Sequence, residues 1–392
     1  MLVRTMSSFH VSDPSATLPS PMNQPRQQYL SSVRTAVIKL GTQVLSDSEG
    51  RLDAEFISSI AQQIAALRGR GIRVTVVSSG AIGAGLRELN LPKRPTDLAQ
   101  LQAVAAVGQR RLMDVWASAF APHQLPVAQL LLTREDVDDR NRYLNLRNTI
   151  GAVHELGGVP IVNENDSIST DELTKISFGD NDILAALVTN ALRADLLILL
   201  SVVDGILDGD GKPLRLVDKL DEARDLVRAE KSPLGKGGFN SKLEAARMVT
   251  ESGESMIVAD GRTKNILPRL LDGESLGTLF VPAGPKLSSR SRWIGSVRPA
   301  GKIYVDAGAV TALVEKNKSL LPAGIVGVEG EFVRGDVVAI CGASGAAIAR
   351  GLSNYSADDV ERIRGKRSAE VRSLLEDAAY DEVVHRDNLV VG

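Results

Sequence analysis

The first residues that could do chemistry stand where an apolar run ends, in the segment Lys39-Leu40-Gly41-Thr42. A lysine at the end of a strand can neutralise a phosphate, and a following glycine lets backbone N–H groups approach it. A plain turn beside a solvated lysine would have the same sequence. The segment therefore predicts a phosphate site only together with other residues of this kind.

A second candidate phosphate site is the segment 235–242, where three glycines precede Lys242 at the start of a helical pattern. It lacks the GxxxxGK[ST] spacing of a P-loop. Glycines and a lysine at a helix N-terminus still form an anion site, and a lysine in the first helical turn opposes the helix dipole. That conflict favours a functional role, and a flexible surface loop is the alternative.

The segment 78–85 has the spacing GxxGxG, which is the reverse of the dinucleotide-binding fingerprint. About 20 residues further on, where a ribose-binding acid would stand, the sequence has Gln100. An oxidoreductase of the dinucleotide-binding class is therefore disfavoured. The glycine-rich junction after Ser79 suits an anion or a carboxylate, and close packing of the strand and helix accounts for it equally well.

Two clusters of polar residues follow apolar or glycine-rich segments, at 163–166 and at 179–182. Such groups are costly beside an apolar strand unless they have partners. A helix N-cap accounts for one of them, Asp180 or Asn181, but not for both clusters. Together they predict a pocket for a zwitterion, with carboxylate and amide oxygens for an ammonium and amide or backbone N–H groups for a carboxylate.

No Ser-His-Asp order, nucleophile elbow or cysteine nucleophile is evident in the sequence. A substrate carboxylate with a pKa of about 4.3 is already ionised at neutral pH, so it needs no general base. Its attack on a phosphoryl group is opposed mainly by repulsion between anions. Lysines, backbone N–H groups and Mg²⁺ would supply the compensating charge.

Composition excludes several classes of protein. Lys+Arg number 46 and Asp+Glu 48, for a net charge of −2, so no overall positive field attracts nucleic acid or anionic membranes. The single cysteine, Cys341, excludes an intrachain disulfide and a cysteine-based zinc site, which fits a cytoplasmic protein. The longest solid apolar run, 196–200, is too short to cross a bilayer.

Short apolar strands alternate with longer helical patterns from residue 33 to residue 281. This alternation predicts an α/β fold with a three-layer, mainly parallel sheet whose ligands lie beyond the carboxyl ends of the strands. The predicted strands are 35–40, 72–78, 126–132, 159–162, 195–201, 255–259 and 278–281. The predicted helices are 54–67, 97–120, 142–155, 181–191 and 240–250.

Four segments are predicted. Residues 1–33, with seven Ser, four Pro and one acidic residue, predict a disordered N-terminal extension. Residues 34–284 form the α/β domain, and residues 285–300 form a connector. Residues 301–386 predict a small, mostly β domain and tail, with strands at 302–305, 331–333, 337–341 and 346–350.

The clusters and their order resemble the amino acid kinase family and, within it, the glutamate 5-kinases. The matching stretches are VIKLGTQVL (37–45), VVSSGAIGAG (76–85), LLTREDVDDRNRYLN (131–145), PIVNEND (160–166), FGDND (178–182) and GKGGFNSKLEAA (235–246). The C-terminal part is similar to a PUA domain, including SLLPAGI (319–325) and RGDVVAI (334–340). The resemblance extends over about residues 34–386.

The resemblance implies ATP-dependent phosphorylation of the γ-carboxylate of L-glutamate to L-glutamyl 5-phosphate, the first step of proline biosynthesis. It implies Mg²⁺ bound through ATP, with no metal ligand assigned to the protein. The implied catalytic residues are Lys39, Lys242 and Asp182, and the implied glutamate-binding residues are Ser79, Gly80, Asp166 and Asn181. The implied ATP-binding residues are Lys39, Gly41, Ser201, Val202, Lys236, Gly237, Gly238, Phe239, Asn240, Ser241 and Lys242.

The resemblance also implies a homo-oligomer, dimer or tetramer, with proline as a feedback inhibitor and glutamyl phosphate reductase as a partner for channelling. Three features depart from the family pattern. Ser177 stands two places before the glycine of FGDND, where a basic residue is common in the family. Ser201-Val202 stands where the family usually has Thr-Asp, which removes a carboxylate from the nucleotide side. Lys236 replaces a small polar residue and adds a charge that suits phosphate.

Two other functions are considered from the sequence. Another amino acid kinase, acting on N-acetylglutamate, aspartate, carbamate or UMP, would share the core, although the cluster at 163–182 and the appended β domain favour glutamate. RNA binding by the PUA-like domain is opposed by charge. Residues 300–392 carry 11 Lys/Arg and 14 Asp/Glu, which is 11 − 14 = −3, so nucleic acid is not an expected partner.

Overall fold

The computed structural model describes residues 24–168, 181–208, 211–221, 223, 235–375 and 380–391. Its strands are β1 Thr35–Leu40, β2 Arg73–Ser78, β3 Val127–Leu132, β4 Val159–Glu164, β5 Leu196–Ser201, β6 Leu216–Val217, β7 Ser255–Asp260, β8 Thr278–Phe280, β9 Gly301–Val305, β10 Ile325–Gly330, β11 Val337–Cys341, β12 Ala347–Leu352 and β13 Leu389–Val391. Its helices are α1 Gln24–Leu30, α2 Thr42–Leu45, α3 Ala54–Gly69, α4 Ala81–Glu88, α5 Leu98–Phe120, α6 Arg134–Asp138, α7 Arg140–Glu155, α8 Asn181–Leu192, α9 Gly235–Glu251, α10 Ile266–Leu271, α11 Ser289–Ser296, α12 Ala307–Val314, α13 Ala357–Ile363 and α14 Ser368–Leu374.

The first eight strands form one sheet in the order β3-β4-β2-β1-β5-β7-β8-β6. The first six strands in this order, from β3 to β7, run parallel to one another. Strand β8 runs antiparallel to β7. One face is covered by α3, α5 and α10, and the other by α7, α8, α9 and α11. Because both faces are covered, the strands are apolar throughout rather than alternating. The predicted three-layer, mainly parallel sheet is confirmed.

The period of two along each strand decides which helices a strand residue meets. On β1, Val37 belongs to the core against α8 and α9, so Lys39 points to the same face. On β4, Ile161 belongs to the core against α3 and α5, so Asn163 points towards α5. Lys39 and Asn163 therefore point to opposite faces of the sheet at its carboxyl edge.

Residues 24–30 form helix α1, so the prediction of disorder over 1–33 is wrong for this stretch, while 1–23 lie outside the described residues. Arg26 is 2% exposed and donates to the backbone carbonyls of Arg215, Glu274, Leu276 and Gly277 at 2.6–2.9 Å. Burial, followed by the nearby Arg215 guanidinium, lowers the pKa of Arg26 to about 10. One charged side chain therefore anchors a helix that composition alone suggested would be loose.

The last five strands form a second sheet, ordered β10-β9-β11-β12-β13, with its own apolar core. The predicted strand at 331–333 is wrong, because β10 ends at Gly330 and Phe332 instead folds over Gly301, where a Cβ would lie 2.5 Å from its ring. The predicted strands at 302–305, 337–341 and 346–350 correspond to β9, β11 and β12 within two residues.

The predicted connector, 285–300, contains the short helix α11. Arg292, Trp293 and Ile294 are buried in it. From the second sheet, Arg350 Nη1 donates to the carbonyls of Gly295 and Val297 at 2.7 and 3.1 Å. The segment is thus packed between the two sheets. Among the helices that the structure describes, none is both long enough and apolar enough to cross a membrane.

Candidate active site

Three predicted catalytic residues meet at the carboxyl edge of the main sheet. Asp182, the second residue of α8, lies between two lysines, with Oδ1 2.6 Å from Lys39 Nζ and Oδ2 2.9 Å from Lys242 Nζ. Lys39 comes from β1 and Lys242 from α9, so three separate elements converge. We call these residues the charged cluster.

The charged cluster is buried, with Lys39, Asp182 and Lys242 exposed by 4%, 0% and 5%. Burial raises the pKa of Asp182, but the two ammonium groups outweigh burial, and the pKa lies below its ordinary value. The carboxylate is therefore ionised at neutral pH. Two cations against one anion leave an excess of one positive charge, which favours an additional anion.

The start of α9 differs from the prediction. The helix begins at Gly235 rather than at residue 240, so Lys242 lies in its third turn and the expected conflict with the helix dipole does not arise. Lys236 and Gly237 lie in the first turn. Lys242 Nζ donates to the Gly238 carbonyl at 3.3 Å, and Ser241 Oγ donates to Asp182 Oδ2 at 3.3 Å. The predicted nucleotide loop is therefore helical from residue 235.

The first turns of α9 contain the other residues predicted to bind ATP. Phe239 is buried and packs in the core between α8 and α9, while Asn240 is exposed. The buried Phe239 holds this turn against the body of the domain.

A second group of polar side chains lies beside the charged cluster and is neutral. Asn181 Nδ2 donates to Ser79 Oγ at 2.7 Å and to Asn163 Oδ1 at 3.0 Å, and Asn163 Nδ2 donates to Gln109 Oε1 at 2.8 Å. We call these four residues the amide chain. It joins two predicted glutamate-binding residues, Ser79 and Asn181, to two buried residues behind them.

The glycines of the segment 78–85 have two different roles. Gly80 is the N-cap residue of α4 and has a φ of 107°, a conformation that favours glycine. At Gly85, a Cβ would lie 1.9 Å from the Val104 carbonyl oxygen, and at Gly108 it would lie 1.8 Å from that of Ala81. Contact between α4 and α5 therefore accounts for Gly85, whereas the anion cradle is left to Gly80.

The remaining predicted residues surround these two groups. Gly41 follows β1, and a Cβ there would lie 3.6 Å from Lys39 Nζ. Asp166 is half-buried in a turn after β4, close to residues 169–180, which lie outside the described residues. Ser201 ends β5, and Val202 after it is 45% exposed. All four positions lie at or near the carboxyl ends of parallel strands, as predicted.

The described residues contain no group of three His, Cys, Asp or Glu side chains that could hold a metal ion. The carboxylate at the centre, Asp182, is shared between two lysines. With two ammonium groups around this carboxylate, the charged cluster is suited to holding phosphate oxygens.

Gln109 and Asn163 were not among the predicted site residues. Asn163 belongs to a polar cluster noted in the sequence, but Gln109 lies among apolar residues of α5 and is 7% exposed. A glutamine on the buried face of a helix is the feature that could have identified it.

Comparisons with known proteins bear on this site. Residues 34–260 match the amino acid kinase family, and residues 301–375 match the PUA domain. The chain is 43% identical to a glutamate 5-kinase of Citrifermentans bemidjiense and 44% identical to one of Geobacter sulfurreducens; each match covers 93% of this chain and 100% of the relative. A carbamate kinase from Giardia lamblia bound to AMP-PNP is 18% identical with a TM-score of 0.47, over 64% of this chain and 99% of that one, which is too weak to support an argument.

Proposed function

This chain belongs to the amino acid kinase family and, within it, to the glutamate 5-kinases, and we propose that its charged cluster transfers the γ-phosphoryl group of ATP to the γ-carboxylate of L-glutamate. The product is L-glutamyl 5-phosphate, and the reaction is the first step of proline biosynthesis. The observation that carries the proposal is the buried Asp182 carboxylate bridging Lys39 and Lys242 at 2.6 and 2.9 Å.

The chemistry follows from the charges. The γ-carboxylate attacks as an anion and needs no base, so the barrier arises from bringing it to a phosphoryl group that carries negative charge on its oxygens. Lys39 and Lys242 stabilise the charge of the transition state, and Asp182 fixes the separation of their ammonium groups. Since the cluster is preorganised and almost free of water, its charges are not screened as they would be in solvent. Mg²⁺ enters with ATP as the substrate complex.

The substrates divide between the two groups of the site. We assign L-glutamate to Ser79, Gly80, Asp166 and Asn181, whose hydroxyl, backbone N–H, carboxylate and amide match a zwitterion. ATP is assigned to Lys39, to Gly41 and to the region formed by Ser201, Val202 and the first turns of α9. The latter residues are Lys236, Gly237, Gly238, Phe239, Asn240, Ser241 and Lys242.

The curated relatives are named glutamate 5-kinases, which favours glutamate over the other acids considered from the sequence. As further parts of the proposal, the enzyme acts in the cytoplasm as a homo-oligomer, is inhibited by proline and passes its product to glutamyl phosphate reductase. These parts are supported by the family resemblance and, for the compartment, by the lone buried Cys341.

Hydroxylamine trapping tests the reaction, because an acyl phosphate reacts with hydroxylamine to give a hydroxamate. The protein is incubated with Mg-ATP and, separately, with glutamate, aspartate, N-acetylglutamate or no acid. A hydroxamate with glutamate alone is the expected result. A hydroxamate with another acid, or none with any acid despite ATP binding, would refute the assigned substrate.

A further inference from the structure

A buried glutamine stands behind the residues assigned to L-glutamate. Gln109 on α5 is 7% exposed, and its Oε1 accepts the 2.8 Å hydrogen bond from Asn163 Nδ2. Its other polar atom, Nε2, is buried and has no hydrogen-bond partner among the described residues. The bond to Asn163 is therefore the hydrogen bond through which the Gln109 side chain is connected to the site.

The bond to Asn163 continues as a connected series of hydrogen bonds. Asn163 donates to Gln109 through Nδ2 and accepts from Asn181 through Oδ1. Asn181 uses the hydrogens of its Nδ2 on Asn163 and on Ser79. With these bonds made, the amide oxygen of Asn181 and the hydroxyl hydrogen of Ser79 are available to a ligand as far as the described residues go.

We propose that Gln109 is a specificity-determining positioning residue, which holds Asn163 and, through it, Asn181 in place beside the substrate. In that arrangement Asn181 presents an oxygen to the ammonium of the substrate, and Ser79 presents a hydrogen to its α-carboxylate. The inference rests on the proposed function, because it assumes that L-glutamate binds beside these two residues. Gln109 itself does not touch the substrate.

A role in stability alone does not account for Gln109. A buried N–H group without a partner lowers stability, so an apolar side chain of similar volume would suit this core position at least as well. The neighbours on the same face of α5, Ala105, Leu112 and Trp116, are apolar and buried. The glutamine is explained by its one acceptor bond to Asn163.

The test compares L-glutamate with glutarate, which has both carboxylates but no ammonium group. In Gln109→Met the hydrogen bond that holds Asn163 is lost, and the ratio of kcat/KM for glutamate to that for glutarate is expected to fall ~10-fold or more, the scale of a hydrogen bond to a charged group. The KM for ATP is expected to stay unchanged. In Gln109→Glu an acceptor oxygen is kept in either protonation state, so the ratio is expected to be retained.

Gln63→Met is the matched control. Gln63 is also a buried helical glutamine, 7% exposed, but it accepts from the Leu267 backbone N–H at 3.0 Å on α10, away from the site. This variant is expected to lose stability and to keep the substrate ratio.

The outcomes separate the two proposals. A wild-type protein that forms no hydroxamate from glutamate refutes the proposed function. An active wild type with an unchanged ratio in folded Gln109→Met refutes only the role of Gln109. If Gln109→Met does not fold, a reduced ratio in Gln109→Glu refutes that role instead, and a retained ratio with unchanged KM for ATP supports it.

Discussion

The two halves of the candidate site bury polar groups in opposite ways. The charged cluster places one ionised carboxylate between two ammonium groups, with almost no exposure to water. The amide chain lies beside it and is neutral throughout. Ionised groups supply strong but poorly directed attraction, which suits phosphate, whereas neutral dipoles can be aimed at the two ends of a zwitterion. The halves should therefore fail differently when a residue is removed.

Removing the shared carboxylate is expected to have the largest effect. Asp182→Ala leaves two buried ammonium groups uncompensated, so the free energy of unfolding should fall by about 3–5 kcal/mol, and activity should be lost. Urea unfolding and hydroxamate formation measure the two effects. In the control Asp272→Ala, a largely exposed pair with Arg70 is removed, and stability should change by no more than about 1 kcal/mol. Equal effects of the two changes would contradict the comparison.

Removing one cation should reduce catalysis more than stability. Lys39→Ala leaves Asp182 paired with Lys242, but the transition state loses about 3–4 kcal/mol of stabilisation, so kcat should fall about 10²–10³-fold. Steady-state kinetics measure this. Lys286→Ala is the control, because Lys286 also bridges two carboxylates, those of Asp195 and Glu254, but away from the charged cluster. A near-normal kcat for Lys39→Ala would show that Lys39 does not have the central role that the proposed mechanism assigns to it.

The amide chain should be disrupted by a change in packing rather than by a change in charge. In Gly108→Ala the new Cβ would lie 1.8 Å from the Ala81 carbonyl oxygen, so α5 must move away from α4 and carry Gln109 with it. We expect a loss of about 1–3 kcal/mol in unfolding free energy and a reduced preference for glutamate over glutarate. At Gly151 on α7 a Cβ meets nothing within 4 Å. Gly151→Ala should therefore keep the substrate preference and, because alanine favours a helix more than glycine does, raise the unfolding free energy by up to about 1 kcal/mol. A similar gain in Gly108→Ala would argue against tight packing at Gly108.

Lowering the pH should affect the stability contributed by the charged cluster but not that contributed by the amide chain. This is the smallest of the expected effects. Because the folded pKa of Asp182 is lowered, its ionisation contributes stability that is complete above the unfolded value, about 3.9, and is lost as the pH falls through the folded value. The stability gap between wild type and Asp182→Asn should therefore shrink below about pH 4. The gap between wild type and Gln109→Met should not depend on pH. Chemical unfolding at a series of pH values measures both gaps.

Patterns of local sequence were sufficient for the sheet and for the charged cluster. Strands such as β1 are short, apolar and bounded by polar residues, so their periodicity appears in the sequence. Lys39 stands near the end of β1 and Asp182 at the start of α8, where ligands of parallel sheets collect, whereas Lys242 lies in the third turn of α9. Their convergence could be expected from topology, although the structure was needed to show that one carboxylate serves both lysines.

Tertiary contacts account for what the sequence did not predict. Helix α9 starts at a glycine-rich stretch with poor helix propensity, and packing of Phe239 holds it there. Gln109 belongs to neither polar cluster of the sequence, and its partner Asn163 is 54 residues away. Helix α1 lies in a segment of low hydrophobicity and depends on Arg26, whose acceptors are distant carbonyls.

The Arg26 anchor also has a consequence for the order in which the chain folds. Its four hydrogen bonds span 189 to 251 residues, so Arg26 leaves the ribosome long before any of its acceptors has been synthesised. During most of translation, helix α1 has no sheet edge on which to dock, because β8, which joins β6 to β7 in the sheet, is the last strand of that sheet to be synthesised. Docking of α1 is therefore among the final folding events of the α/β domain, and it closes the contacts of longest range in that domain.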